Sequence, residues 1–284
     1  MHRMILASLL AGLALTAIAA RADDWSKTYP IATRANLQVA TDDGDVTVVC
    51  ADQKQIVAHV TTEGYKIGPN DVRIDESQSG DHVIVTVKTP HLDFNLFGGM
   101  HRAVHVQVTV PRELDLSVST GDGAVTLQPV AGHLQIHTAD GAIHADGVRG
   151  DVSLHTADGS IDGRNLDGTL TANTGDGAVH VSGRFDGLQV ATGDGSVDAQ
   201  AAAGSHMTTG WSIHSGDGSV TLRVPQDLKA FVDLKTGDGS ITVDMPVTVE
   251  GTVDRSHIRG NINGGGGGEL KVTSGDGSIH LMKS

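Results

Sequence analysis

The chain has 284 residues, a formal net charge of −14 at neutral pH, one cysteine, 37 glycines and 3% aromatic residues. An acidic surface of this kind repels phosphate backbones, which excludes nucleic acid as a partner and leaves cations welcome. The lone Cys50 excludes an internal disulfide, and so few rings imply a thin core of Val, Ile, Leu and Ala, which suits stacked strands better than a wide sandwich.

Met1 to Ala22 has the pattern of a signal peptide. His2 and Arg3 precede an apolar run from Ile5 to Ile18, and Ala20-Arg21-Ala22 forms an A-x-A cleavage site before Asp23. The run falls short of the roughly 20 apolar residues that a membrane span needs, and no later stretch comes close, so the mature chain is expected to lack a transmembrane segment. No cysteine follows the run to carry a lipid. Loss of Arg3 and Arg21 with the leader takes the formal charge from −14 to −16. The expected location is the periplasm, the outer cell surface or the medium.

Residues 23–113 hold irregularly spaced strand-like runs: Leu37 to Ala40, Val46 to Val49, Ile56 to Val60, Val83 to Val87 and Val104 to Val110. They are expected to form a β-rich part that caps or starts a stack, because exposed end strands invite edge-to-edge aggregation. Between them His91 to His101 holds two of the four phenylalanines. It is expected to fold over an open sheet end and complete the core.

Residues 114–284 are dominated by a repeated corner. Thr120-Gly121-Asp122-Gly123 recurs as Thr138-Ala139-Asp140-Gly141, Thr156-Ala157-Asp158-Gly159, Thr174-Gly175-Asp176-Gly177 and Thr192-Gly193-Asp194-Gly195, each 18 residues after the last. It returns at Ser215-Gly216-Asp217-Gly218, Thr236-Gly237-Asp238-Gly239 and Ser274-Gly275-Asp276-Gly277, after steps of 23, 21 and 38. The step of 38 suggests two repeats with one corner lost. An earlier copy stands at Thr41-Asp42-Asp43-Gly44. Around each corner apolar and polar residues alternate: Leu134, Ile136 and Ile143 take one face, Gln135, His137 and His144 the other. A second bend follows in each unit, as at Asp146-Gly147 and Asp186-Gly187.

Asp-Gly is also a favoured hairpin turn, so a meander of hairpins would show the same local pattern. A meander tolerates loops of any length, whereas a stacked coil demands equal turns, and the constant step favours stacking. The predicted fold is all-β: a parallel β-solenoid or β-roll of the right-handed type with rungs of about 18 residues, ~4.8 Å apart. Leu134, Val152, Leu170 and Leu188 would form one interior column. Asn263 to Gly268 reads as a flexible glycine run before a last rung, Leu270 to Leu281.

Val108-Thr109-Val110-Pro111, followed by Leu114-Asp115-Leu116-Ser117-Val118-Ser119 and the corner Thr120-Gly121-Asp122-Gly123, resembles the putative-adhesin family of β-strand-repeat proteins, domain-of-unknown-function family 4097. That family shows a strand ending in Val-Pro and then repeated T-G-x-G-x-[VI] corners behind a signal peptide. The likeness covers residues 35–284. It implies a fold and an adhesin-like role, and supplies no catalytic residues.

Stacked corners place Asp43, Asp122, Asp140, Asp158, Asp176, Asp194, Asp217, Asp238 and Asp276 along one edge. Neighbouring carboxylates ~4.8 Å apart repel by ~0.9 kcal/mol in water and ~3.5 kcal/mol at an effective dielectric of 20. The expected relief is structural: each carboxylate accepts backbone N–H groups of its own turn, with glycine supplying a positive φ. The alternative is a row of Ca²⁺ ions, yet Ca²⁺ rolls repeat every nine residues with their Asp placed differently. Asp42, Asp43 and Asp45 are the densest acidic corner. Outward columns of His137 with His155, and of His144, Asp162, His180 and Asp198, are candidate transition-metal ligands. Their plainer reading is a solvated His-Asp ladder.

No G-x-S-x-G, H-E-x-x-H or P-loop is present, so no catalytic residue and no cofactor are expected. Arg149-Gly150-Asp151 is a cell-attachment tripeptide by letter alone, falling on a bend. The sequence therefore points to an exported, non-enzymatic repeat protein with a structural or adhesin-like role in the envelope. Its partner is an unknown protein or glycan, and self-association stays open. A metal-binding roll is the first alternative and a polysaccharide-active β-helix enzyme the second.

Overall fold

The computed structural model describes residues 22–90, 102–249 and 254–284. The leader expected at 1–22, apart from Ala22, and the Phe-containing segment 91–101 lie outside the described residues. The chain is all-β. Among the described residues 23 strands join one hydrogen-bonded sheet, and none of these residues is helical.

The alternation of apolar and polar residues explains the strands. Each unit has a strand that leads into the Thr corner and one that leads out, and both bury every second side chain. In Ala131–Thr138 the buried set is Leu134, Ile136 and Thr138; in Ile143–Asp146 it is Ile143 and Ala145. Successive units pair in parallel. Ala131–Thr138 runs beside Arg149–Thr156 with Leu134 opposite Val152 and Thr138 opposite Thr156. Val152 then faces Leu170, and Leu170 faces Leu188, so the expected interior column forms. Strands entering the corners make one face and strands leaving them the other, with the core of Val, Leu, Ile and Ala between.

The second bends differ among units. After Ile161 and Val179 the chain passes the bend within single 14-residue strands, Ile161–Thr174 and Val179–Thr192, whose pairing shifts register at Gly163 to Leu166 and at Gly168 to Thr169. Gly132, Gly150 and Gly168 stack here at φ of +138°, +107° and +129°. A Cβ at Gly150 would collide with the carbonyl oxygen of Gly132, and one at Gly168 with that of Gly150. The step of 23 between Asp194 and Asp217 adds a loop that packs back on the preceding bend, where the Ser205 hydroxyl accepts the Phe185 N–H at 3.0 Å. Trp211 follows, fully buried and edge-on to Phe185.

Stack order departs from chain order at both ends. The Thr41 unit lies between the Thr120 unit and the unit formed by His82–Lys88 and Ala103–Val110. At the other end the Ser274 unit, Glu269–Ser274 with Ile279–Lys283, lies between the Ser215 and Thr236 units. This corrects the reading of the step of 38 as two repeats with a lost corner. No corner is missing: the chain goes out past the Thr236 unit, turns through antiparallel strands, and returns to fill a place one unit inward. Antiparallel strands close the ends. Ala22–Pro30 pairs with Gln55–Glu63, and Arg73–Ser79 with His82–Lys88. His257–Ile262 pairs with Ala230–Thr236 and with Val247–Val249. At the first end the two faces are tied together by Lys27 and Tyr29 on Glu76 and by the Gln78 amide donating to the Pro30 carbonyl at 2.8 Å. Ala35–Thr41 pairs directly with Glu113–Thr120, so the sheet is continuous across residues 113 and 114.

Candidate functional site

The repeated corner is held by its Thr. Thr138 and Thr156 are fully buried. The Thr138 hydroxyl donates toward the Gly121 and Gly123 carbonyls of the preceding unit at 2.9 and 3.2 Å, and accepts the Gly141 N–H of its own turn at 3.2 Å. Thr156, Thr174 and Thr192 repeat the arrangement, and Ser215, Ser274 and Thr236 carry the hydroxyl ladder to the far end. Corner glycines such as Gly141 do not supply a positive φ, against expectation. They are glycine because the Gly123 carbonyl occupies the place of a Cβ.

The carboxylates stand outside this network. Backbone bonds fix their order: the Asp140 N–H reaches the Gly121 carbonyl, Asp158 that of Ala139, Asp194 that of Gly175, Asp276 that of Gly216 and Asp238 that of Gly275. Asp43, Asp122, Asp140, Asp158, Asp176, Asp194, Asp217, Asp276 and Asp238 thus follow one another along one edge, all exposed. Among the described residues the carboxylates of Asp140, Asp158, Asp176 and Asp194 accept no hydrogen bond, so the expected capping of their own turns is absent. The short hydroxyl of Thr points inward and meets the turn, whereas the Asp side chain points into water. In the first corner Asp42 takes the Thr89 N–H at 3.0 Å and Asp45 the Ala124 N–H at 2.9 Å.

The face leaving the corners carries the His-Asp column. Thr126, His144, Asp162, His180, Asp198 and Thr221 succeed one another in register. Asp162 lies between two imidazoles, 3.5 Å from His144 Nδ1 and 3.6 Å from His180 Nδ1. Arg223 pairs with Asp198. On the other face His137 and His155 stack with ring centroids 4.8 Å apart and planes 6° from parallel. The two His sets thus lie on different faces, and among the described residues no three His, Cys, Asp or Glu side chains converge to hold a metal ion.

Opposite the His-Asp column runs a feature the sequence reading missed. Three residues before each corner hydroxyl residue, the outward position reads Gln38, Ser117, Gln135, Ser153, Thr171, Gln189 and Ser212 across seven adjacent units. None carries a charge. The column beside it, from Ala40 through Ser119, His137, His155, Asn173 and Ala191 to His214, has no Asp, Glu, Lys or Arg either. Reading every repeat at one fixed offset from its corner would have found it. With units ~4.8 Å apart, the strip is about 29 Å long.

The profile of the Toastrack family, domain-of-unknown-function family 4097, matches residues 34–281. The chain is a Toastrack protein. Crystal structures resembling it include a "putative adhesin" from Parabacteroides merdae, at 14% identity over 91% of this chain and 96% of that one, with a TM-score of 0.46. A "putative lipid binding protein" from Parabacteroides distasonis matches at 15% identity over 91% and 96%, with a TM-score of 0.48. A "putative cell adhesion protein" from Clostridium sporogenes matches at 11% over 93% and 100%, with a TM-score of 0.35. No curated protein matches the chain. In this Toastrack chain the corner is a buried hydroxyl ladder lined outside by carboxylates.

Proposed function

We propose that this Toastrack protein is exported and non-enzymatic, and that it has a structural or adhesin-like role in the bacterial envelope. It holds another envelope or surface polymer, protein or glycan, along the uncharged strip that ends at Ser212 and His214. The strip itself carries this reading. In a chain with 34 acidic and 20 basic residues, a long, flat and regular surface of amides, hydroxyls and imidazoles suits recognition by repeated neutral hydrogen bonds. Export is supported by the leader pattern at 1–22, with the first strand opening at Ala22. Residues 23–113 are read as the part that starts and caps the stack, and 114–284 as its repeated body. We read the stack as a right-handed parallel β-solenoid, supported by the pairing of residues 18 apart and by the hand that parallel crossovers adopt.

The test is capture of labelled full-length protein on isolated envelope and cell-wall fractions. It compares wild type with a double variant, Gln135→Lys and Ser153→Lys, on the strip. Wild-type capture is expected to change less than twofold between 50 and 300 mM salt, since no ion pair is involved, and the double variant to lose about tenfold. Equal capture of both proteins, or steep salt dependence, overturns the reading. New reducing ends from a polysaccharide panel would overturn the non-enzymatic part.

A further inference from the structure

We propose that the C-terminal unit, residues 269–283, is an exchangeable donor strand pair, and that its slot binds the same segment of a second copy of this chain. Its two neighbours in the stack, the Ser215 and Thr236 units, both precede it in the chain and pair with it in parallel. His82–Lys88 and Ala103–Val110 also lie between earlier strands, but there one neighbour of each is antiparallel. The Thr41 unit, equally displaced, has two neighbours that follow it, so no slot waits for it.

The slot has two hydrogen-bonding edges. Leu270, Val272 and Ser274 pair in parallel with Trp211, Ile213 and Ser215 on one side and with Val232, Leu234 and Thr236 on the other. Ile279 and Leu281 lie between Val220 and Leu222 on one side and Ile241 and Val243 on the other. The corner ladder also runs through the insert: Ser274 donates to the Gly218 carbonyl at 3.0 Å, and Thr236 to the Gly277 carbonyl at 2.7 Å. Leu270, Val272, Ile279 and Leu281 are fully buried. Without the insert, two strand pairs face each other one unit apart with open edges and an empty apolar lane. Such a site takes an added β-strand, with backbone pairing for affinity and alternate side-chain pockets for specificity.

The connection permits exchange. Asn263, Gly264, Gly265 and Gly266 all have positive φ, from +50° to +83°, a tight coil between strands that end at Ile262 and begin at Glu269. Extended, six residues span about 20 Å. A donor from a second copy makes the same contacts as the chain's own, so the choice between them rests on the linker and on concentration.

The test uses the full chain, unfolded in denaturant and refolded over a hundredfold range of concentration, with mass read by light scattering. Dimer is expected to rise with concentration and to persist on dilution. A fluorescent peptide of residues 263–284, present in excess during refolding, is expected to co-elute with the protein and to suppress dimer at least fivefold. The peptide with Val272→Asp and Leu281→Asp should do neither. Deletion of Gly264 to Gly266 should shift the folded protein to dimer. Refolding that gives monomer at every concentration and retains no peptide overturns the proposal. So does a dimer that excess peptide leaves unchanged, since it forms through another surface.

Discussion

At the residue scale the corner shows how two neighbouring polar side chains divide structure from surface. Thr156 is buried and joins two units: it donates toward the Ala139 and Gly141 carbonyls at 2.9 and 3.1 Å and accepts the Gly159 N–H at 3.1 Å. Thr156→Val removes all of these bonds in a site closed to water and leaves the Gly159 N–H unpartnered, and a buried donor left without a partner costs about 1–3 kcal/mol. Chemical denaturation should show a loss of that size. Asp158, two residues on, is exposed among like charges, so Asp158→Asn should leave the melting temperature unchanged or slightly raised. A loss at Asp158 matching that at Thr156 would return the structural role to the carboxylate. Tyr29 offers a second measurement. Burial, helped by the charge of Glu76 and a hydrogen bond to it, pushes the phenol well above its ordinary range. A raised folded value means that its contribution is complete below the unfolded value near pH 10 and declines as pH rises beyond it. Tyr29→Phe should therefore lose less stability than wild type between pH 9.5 and 11.5.

At the element scale the strands follow from period-two alternation, and the bends from glycines that leave room for the unit beneath. Gly150 combines φ of +107° with a neighbouring carbonyl where a Cβ would sit. Gly80 has φ of +60° and open space around it. Ala at Gly80 meets only the cost of the left-handed conformation, ~1–2 kcal/mol. Ala at Gly150 also forces two units apart and should cost more, about 3 kcal/mol or above. Equal losses in parallel urea titrations would show that spacing between units does not limit these bends.

At the scale of the whole molecule the charge is distributed unevenly, with a row of carboxylates on one edge and an uncharged strip on one face. The strip is about as long as seven stacked units allow, and each unit adds one more hydrogen-bonding side chain. On the proposed function, binding along it would be a property of the array, which is why two lysines near its middle are expected to interrupt it. The ends are finished by placing the first corner unit and the last unit one position inward. Strand termini that would otherwise fray are then paired on both sides, and the outer positions go to units whose chain continues into antiparallel strands.

Much of this was legible in the residues. The constant 18-residue step placed Leu134, Val152, Leu170 and Leu188 in one column, because parallel strands in equal units align like with like. The same step aligned His144 with Asp162 and His137 with His155, and the corner motif pointed to the family. The hydrogen bonding of the corner was hidden because Thr and Asp recur with the same period, and only burial separates the hydroxyl that joins units from the carboxylate that faces water. The order of units at the ends was hidden for a different reason. Pairing between Ala35–Thr41 and Glu113–Thr120, or between Trp211–Ser215 and Glu269–Ser274, joins segments far apart in the chain. Every such strand carries the same alternation, so the local pattern fits several neighbours equally well. Periodicity by itself determined which side chains face inward and which units are alike. Tertiary packing decided which unit lies beside which, because that choice depends on how the chain's ends reach the open edges of the stack.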